Sequence, residues 1–204
     1  MFFSLDGPDG AGKTTQLARF VAWLEGLGHE VVTCRDPGST WLGNQLRQIL
    51  LNPSSGAIGS RSEMLLYMAA RAQLVDEVIR PALDRGQTVV SDRFLLANVV
   101  YQGWAGGLEP ETLWEVGRLA TGGLLPDLTL VLDLPPEAAA GRLQRSLDRM
   151  ESRGPDFRRR VREGFLAEAR RHPASIAVID ARGSEDEVAA RIQTAAATAL
   201  DAAG

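Results

Sequence analysis

The chain is poor in several things. It has one cysteine, Cys34, so no disulfide can form within it and a reducing compartment is expected. No apolar run reaches the length of about 18 residues that a membrane-spanning helix needs. The opening Met1–Asp6 has no basic start and reads at once as a strand, so no signal peptide is expected. It also lacks an excess of positive charge. Its 22 basic and 26 acidic residues give −4, which argues against non-specific nucleic-acid binding. Lysine is as scarce as cysteine: among those 22 basic residues Lys13 is the only lysine. Where arginine is the default cation, a lone compact ammonium marks a place where a planar guanidinium does not serve.

What is present has the balance of a globular domain, with 45% hydrophobic and 24% charged residues. Apolar runs of strand length recur at 2–5, 31–34, 88–91, 128–134 and 176–179. Between them lie helical patterns at 14–26, through Leu42, Leu46, Ile49 and Leu50 after the break at Pro37-Gly38, and at 63–83, 109–120, 157–171 and from Ser184, and Pro135-Pro136 is expected to open another that carries Arg142. In the long pattern, Leu65, Leu66, Ala69, Ala72, Val75 and Ile79 are expected to face inward. Continuous rather than alternating apolar strands separated by helices predict a buried, five-stranded parallel sheet with helices on both faces, an α/β three-layer sandwich. No repeat, linker or second domain is visible, so 1–204 is read as one domain. The segments 103–109 and 151–156 are expected to be mobile.

Gly7-Pro8-Asp9-Gly10-Ala11-Gly12-Lys13-Thr14 matches G-x-x-x-x-G-K-[ST], between a predicted strand and a predicted helix. Glycines let backbone N–H groups converge on a phosphate, and the helix N-terminus adds partial positive charge. Lys13 is placed to reach the β- and γ-phosphates and the Thr14 hydroxyl to ligate Mg²⁺. The motif alone does not choose among kinases, GTPases and ATPases. Guanine recognition through N-K-x-D is impossible here, because no second lysine exists.

Other residues stand where parallel strands end and ligand crevices open. Asp92-Arg93 follows the third strand; Asp92 can hold Mg²⁺ through water and Arg93 can grip a phosphate with its fork. Arg35-Asp36-Pro37-Gly38-Ser39-Thr40 follows the second strand, where a plain turn is an equal reading. Tyr67 and Arg71, four apart on one helix, can present a ring and a guanidinium together, although a core tyrosine with a surface arginine fits the spacing as well. Arg142, Arg145, Arg149 and Arg153 share a helical face, and 142–171 carries ten arginines against five acids. Such a segment can neutralise a phosphoryl group in transfer or be only a solvated face.

Taken in order, these motifs resemble those of bacterial thymidylate kinases, members of the P-loop nucleoside monophosphate kinases. The resemblance runs from Phe2 to about Val188 through Asp9–Thr15, Arg35–Thr40, Leu65–Arg71, Asp92-Arg93-Phe94, Val100–Gly103 and Ile179-Asp180-Ala181. It implies transfer of the γ-phosphoryl group of ATP to dTMP, giving dTDP and ADP on the way to dTTP, with Mg²⁺, in a cytoplasmic homodimer. It implies that Gly7, Pro8, Asp9, Gly10, Ala11, Gly12, Lys13, Thr14 and Thr15 bind ATP, with Arg142, Ala181 and Arg182 framing adenine. Tyr67 would stack on thymine and Arg71 bond a thymine carbonyl. Asn98 and Gln102 would line the base site, and Tyr101 would lie near the sugar 2′ position. Asp9 would contact the acceptor sugar or help order Mg²⁺, and Arg93 with Arg35 would hold the dTMP phosphate. With no arginine in the phosphate loop, the catalytic cation is expected from a lid at about 142–156, from Arg149 or Arg153, with Arg145 third.

Asp36, Ser39, Asn44, Ala70, Leu74 and Phe165 depart from the usual pattern. Most neighbour the acceptor site, so a different nucleotide or nucleoside acceptor is the nearest alternative. A nucleotide-binding protein without turnover is the more distant one.

Overall fold

The computed structural model describes residues 1–52, 54–135, 137–138 and 153–203. Its centre is one parallel sheet of five strands: β1 (Phe2–Asp6), β2 (Val31–Arg35), β3 (Thr88–Asp92), β4 (Leu128–Asp133) and β5 (Ile176–Asp180). The spatial order is β2-β3-β1-β4-β5. Register places Leu5 beside Asp92 and Arg35 beside Asp92 on its other side, so the carboxyl ends of β1, β2 and β3 lie together.

β1 is buried along its whole length and alternates between two apolar layers. Phe3 and Leu5 join Phe20 and Leu24 of α1 (Lys13–Gly26) and Val188 and Ile192 of the last helix. Phe2 packs on the other face with Val89, Phe94 and Val131. This two-residue period sends Ser4 and Asp6 to the same face as Phe2.

Further helices among the described residues are α2 (Trp41–Leu51), α3 (Ser60–Leu74), α4 (Arg80–Asp84), α5 (Leu95–Asn98), α6 (Pro110–Thr121), α7 (Pro155–Arg171) and α8 (Glu185–Ala203). The expected sheet and its helices on both faces are thus present. The single helix expected over 63–83 is interrupted: a π-helical turn, Val75–Ile79, separates α3 from α4. The inward face of α3 is also corrected. Leu65 is 55% exposed and Ala69 is exposed, while Glu63, Met64, Met68, Ala70, Arg71 and Leu74 are buried. The buried stripe contains an acid and an arginine because each meets its own partner inside, Arg71 on Asp36 and Glu63 on Gln102 and Arg153. A second π-helical segment, Val99–Trp104, continues α5 and occupies a stretch where the sequence pattern placed no element. Among the described residues no helix is long and apolar enough to cross a membrane.

Candidate active site

The loop after β1 owes its shape to glycine. Gly7 has φ +134°, and a Cβ there would stand 2.5 Å from the Leu132 carbonyl oxygen, so no other residue fits. The loop wraps back to the start of α1, and Lys13 Nζ donates to the carbonyls of Gly7 (3.1 Å) and Pro8 (2.8 Å). Burial, then the neighbouring Arg93 cation, lowers the Lys13 pKa to about 8.

Arg93 follows β3 with φ +67°, a backbone state uncommon outside glycine. Its side chain is fixed from several sides. Nη1 donates to the Gly7 carbonyl at 2.9 Å, and Nη2 donates to Asp9 Oδ1 and, at 3.3 Å, to the Tyr101 hydroxyl. Tyr101 in turn donates to Asp9 Oδ2 at 2.9 Å, and its ring lies 5.1 Å under the Arg93 guanidinium. Beneath the loop Asp6 is completely buried, accepts from Ser4 Oγ at 2.9 Å, and is pushed up to about 6 by burial.

One cavity of about 760 Å³ joins this loop to a second group of side chains. Arg71, 1% exposed, donates from Nε to Asp36 Oδ2 at 2.6 Å and from Nη1 to Asn98 Oδ1 at 3.3 Å. Burial raises the Asp36 pKa and Arg71 opposes the rise. Asn98 Nδ2 donates to Gln102 Oε1 at 2.6 Å. Tyr67, Phe94 and Ala97 supply apolar wall. Ser39 sits at a tight turn with φ +63°, and its hydroxyl accepts from the Arg35 N–H at 2.9 Å.

The cavity wall therefore includes Asp9–Thr15, Arg35, Tyr67, Arg71, Asp92, Arg93, Asn98, Tyr101, Gln102 and Ala181, nearly the whole expected set. Gly7 and Pro8 lie buried behind it. Arg182 instead forms an exposed pair with Asp180. Arg153 bonds Glu63 and is not on the wall. Arg142, Arg145 and Arg149, with the helix expected after Pro135-Pro136, lie outside the described residues. Two buried acids that bear on the site were not singled out from sequence, Glu63 and Asp6. Asp6 stands at the end of an apolar strand run, and Glu63 directly before Met64-Leu65-Leu66.

Hard oxygen donors are present for a divalent cation: the Thr14 hydroxyl and the Asp92 carboxylate both line the cavity. Among the described residues no group of three or more His, Cys, Asp or Glu forms a cage for a metal. That donor set suits Mg²⁺, which keeps waters and takes further oxygens from phosphates.

A strand, a glycine loop with its lysine folded inward, and a helix at the carboxyl edge of a parallel sheet define a P-loop nucleotide-binding protein. Comparison narrows the class. The family model for thymidylate kinase matches residues 5–192. Thymidylate kinase of Desulfosudis oleivorans is 47% identical over 201 residues, covering 94% of each chain. That of Deinococcus radiodurans is 47% identical over 197 residues, covering 96% of this chain and 95% of the other. The crystal structure of thymidylate kinase from Ehrlichia chaffeensis superposes with a TM-score of 0.76 at 27% identity, over 96% of this chain and 97% of that one. The chain belongs to the thymidylate kinase family.

Proposed function

We propose that the chain transfers the γ-phosphoryl group of ATP to dTMP, giving dTDP and ADP. Family membership supports the reaction class. The observation that carries the acceptor assignment is the single cavity in which the phosphate loop, Arg93 and a base-sized wall of Tyr67, Arg71, Asn98 and Gln102 meet.

The attacking group is a phosphate oxygen that is already anionic, so no general base is needed. Catalysis is positioning and charge neutralisation. Lys13 and the loop N–H groups receive the donor phosphates, with Ala181 beside the nucleoside. Arg93, oriented by Asp9 and Tyr101, and Arg35, exposed at the rim, receive the acceptor phosphate. A pre-oriented fork limits the entropy lost when the second anion arrives. Thr14 and Asp92 would hold Mg²⁺, which supplies charge neutralisation between the phosphates when bound. The closing cation is assigned to the lid, to Arg149 or to Arg153, the latter on release from Glu63.

The whole chain is read as one domain, because its two apolar layers share one sheet. A reducing, cytoplasmic setting fits Cys34, whose buried thiol is pushed up to about 12 and is unreactive. A homodimer fits the exposed apolar side chains on three neighbouring helices: Trp41 of α2, Leu65 of α3 and Leu119 of α6.

The test is ADP release with ATP, Mg²⁺ and separate acceptors: dTMP, dUMP, dCMP, dGMP, AMP and thymidine. dTMP should be preferred, and Arg93→Ala should cut turnover by about 10² or more while staying folded. Preference for another acceptor keeps the kinase and overturns the thymine roles. No ADP release with any of them overturns the kinase.

A further inference from the structure

Glu63 is 1% exposed, and phosphoryl transfer as described gives it no task. Its carboxylate accepts from two sides. Gln102 Nε2 donates to Oε1 at 2.7 Å, and Arg153 Nη2 donates to Oε1 at 3.2 Å and Oε2 at 3.1 Å. From Gln102 the chain of bonds runs on through Asn98 to Arg71 and ends on Asp36.

The end groups give this chain a direction. A guanidinium only donates and a carboxylate only accepts, whereas an amide can be turned either way. Arg71 at one end requires the oxygen of Asn98. Glu63 at the other requires the nitrogen of Gln102. The central bond, Asn98 Nδ2 to Gln102 Oε1, satisfies both at once. Each amide is left with one orientation, and therefore with a fixed pattern of remaining donors and acceptors toward the cavity.

We propose that Glu63 is a positioning residue for recognition of the acceptor base: it fixes which way the Gln102 amide faces, as Arg71 fixes Asn98 from the other end, and Arg153 sets a cation beside its buried charge. The inference rests on reading Asn98 and Gln102 as base-site residues. A ring bearing carbonyls and an N–H differs from one bearing an amino group and a bare ring nitrogen only in donor and acceptor placement. Amides free to turn would serve both, and amides held in one sense favour one. Arg153 also lies 5.0 Å over the Phe157 ring, which contacts Tyr101, so its place beside Glu63 is held from a second direction.

The experiment measures kcat and KM for dTMP and dCMP, and KM for ATP, in wild type, Glu63→Leu and Glu63→Gln. The leucine variant removes the acceptor of the Gln102 amide nitrogen and leaves Gln102 held only through Asn98. Its preference between the two acceptors should fall by about tenfold, through acceptor KM, with ATP KM unchanged. The glutamine variant can accept or donate, so it dictates the Gln102 amide only in part and should lower the preference by about threefold. A folded leucine variant with wild-type preference and acceptor KM overturns the proposal. If that variant does not fold, Glu63→Gln decides: a loss of preference of about threefold supports the role, and an unchanged ratio overturns it. The dTMP reading fails separately, on the wild-type preference alone. Glu63 is then judged by the shift from whichever acceptor wild type prefers.

Discussion

Lys13 titrates within reach of ordinary buffers because burial and the Arg93 cation lower it to about 8. A polyphosphate bound in the loop favours the ammonium and raises that pKa again. ATP binding should therefore take up protons in the window above about 8, where free Lys13 is increasingly neutral. The sign is fixed by the anion, which stabilises the protonated form. At about pH 9 the second phosphate ionisation, near 6, is complete and does not contribute. Calorimetry in two buffers of different ionisation enthalpy should show uptake approaching one proton. Lys13→Arg, which cannot lose its proton, should show none if it binds. Absence of uptake in wild type would remove Lys13 from the phosphate.

At the scale of elements, acceptor geometry depends on how α7 meets the π-helical segment that carries Tyr101 and Gln102. Gly164 makes that approach close. A Cβ added there would lie 2.7 Å from Trp104 Cβ and 2.9 Å from its Cγ, atoms too near the backbone to swing aside. Trp104 is tied to α7 as well, donating from Nε1 to the fully buried Glu168 at 2.9 Å. Gly164→Ala should cost about 1–3 kcal/mol in urea unfolding. It should also raise acceptor KM more than ATP KM, because Lys13 and its loop stand on β1 and α1. Unchanged stability would mean the two elements part without cost. This segment also shows where sequence reading stopped. Val99, Val100, Tyr101, Gly103 and Trp104 are poor helix formers; they are helical because nearly all of 94–103 is buried and held by neighbours. The face of α3 was misread for a related reason. Amphipathic patterning sends Leu65 in and Arg71 out, and the Glu63–Arg71 network reverses both. A binding site is where local rules yield to a ligand's needs. The phosphate loop was legible because its spacing is set by the phosphate itself, and the sheet because five buried parallel strands leave continuous apolar runs.

For the whole molecule, the sheet order brings the carboxyl ends of β1, β2 and β3 into one crevice. The crevice uses the polar edge of the fold and leaves α2, α3 and α6 free on their outer sides. Those helices adjoin one another and carry Trp41 at 77% exposure, Leu65 at 55% and Leu119 at 84%. A scattered exposed leucine means little, but apolar side chains on three neighbouring helices are what a second copy would cover. A dimer built there would back the helix that holds Glu63, Tyr67 and Arg71, and so stiffen the acceptor wall from behind. The chain should sediment at twice its monomer mass at micromolar concentration. Leu65→Arg, which places a charge in the middle of that surface without touching the cavity, should shift it toward monomer. If monomer is the less rigid form, acceptor KM should rise as the variant dissociates while ATP KM holds. A wild-type chain that sediments as a monomer would overturn the dimer, and a monomeric variant with unaltered acceptor KM would separate assembly from the site.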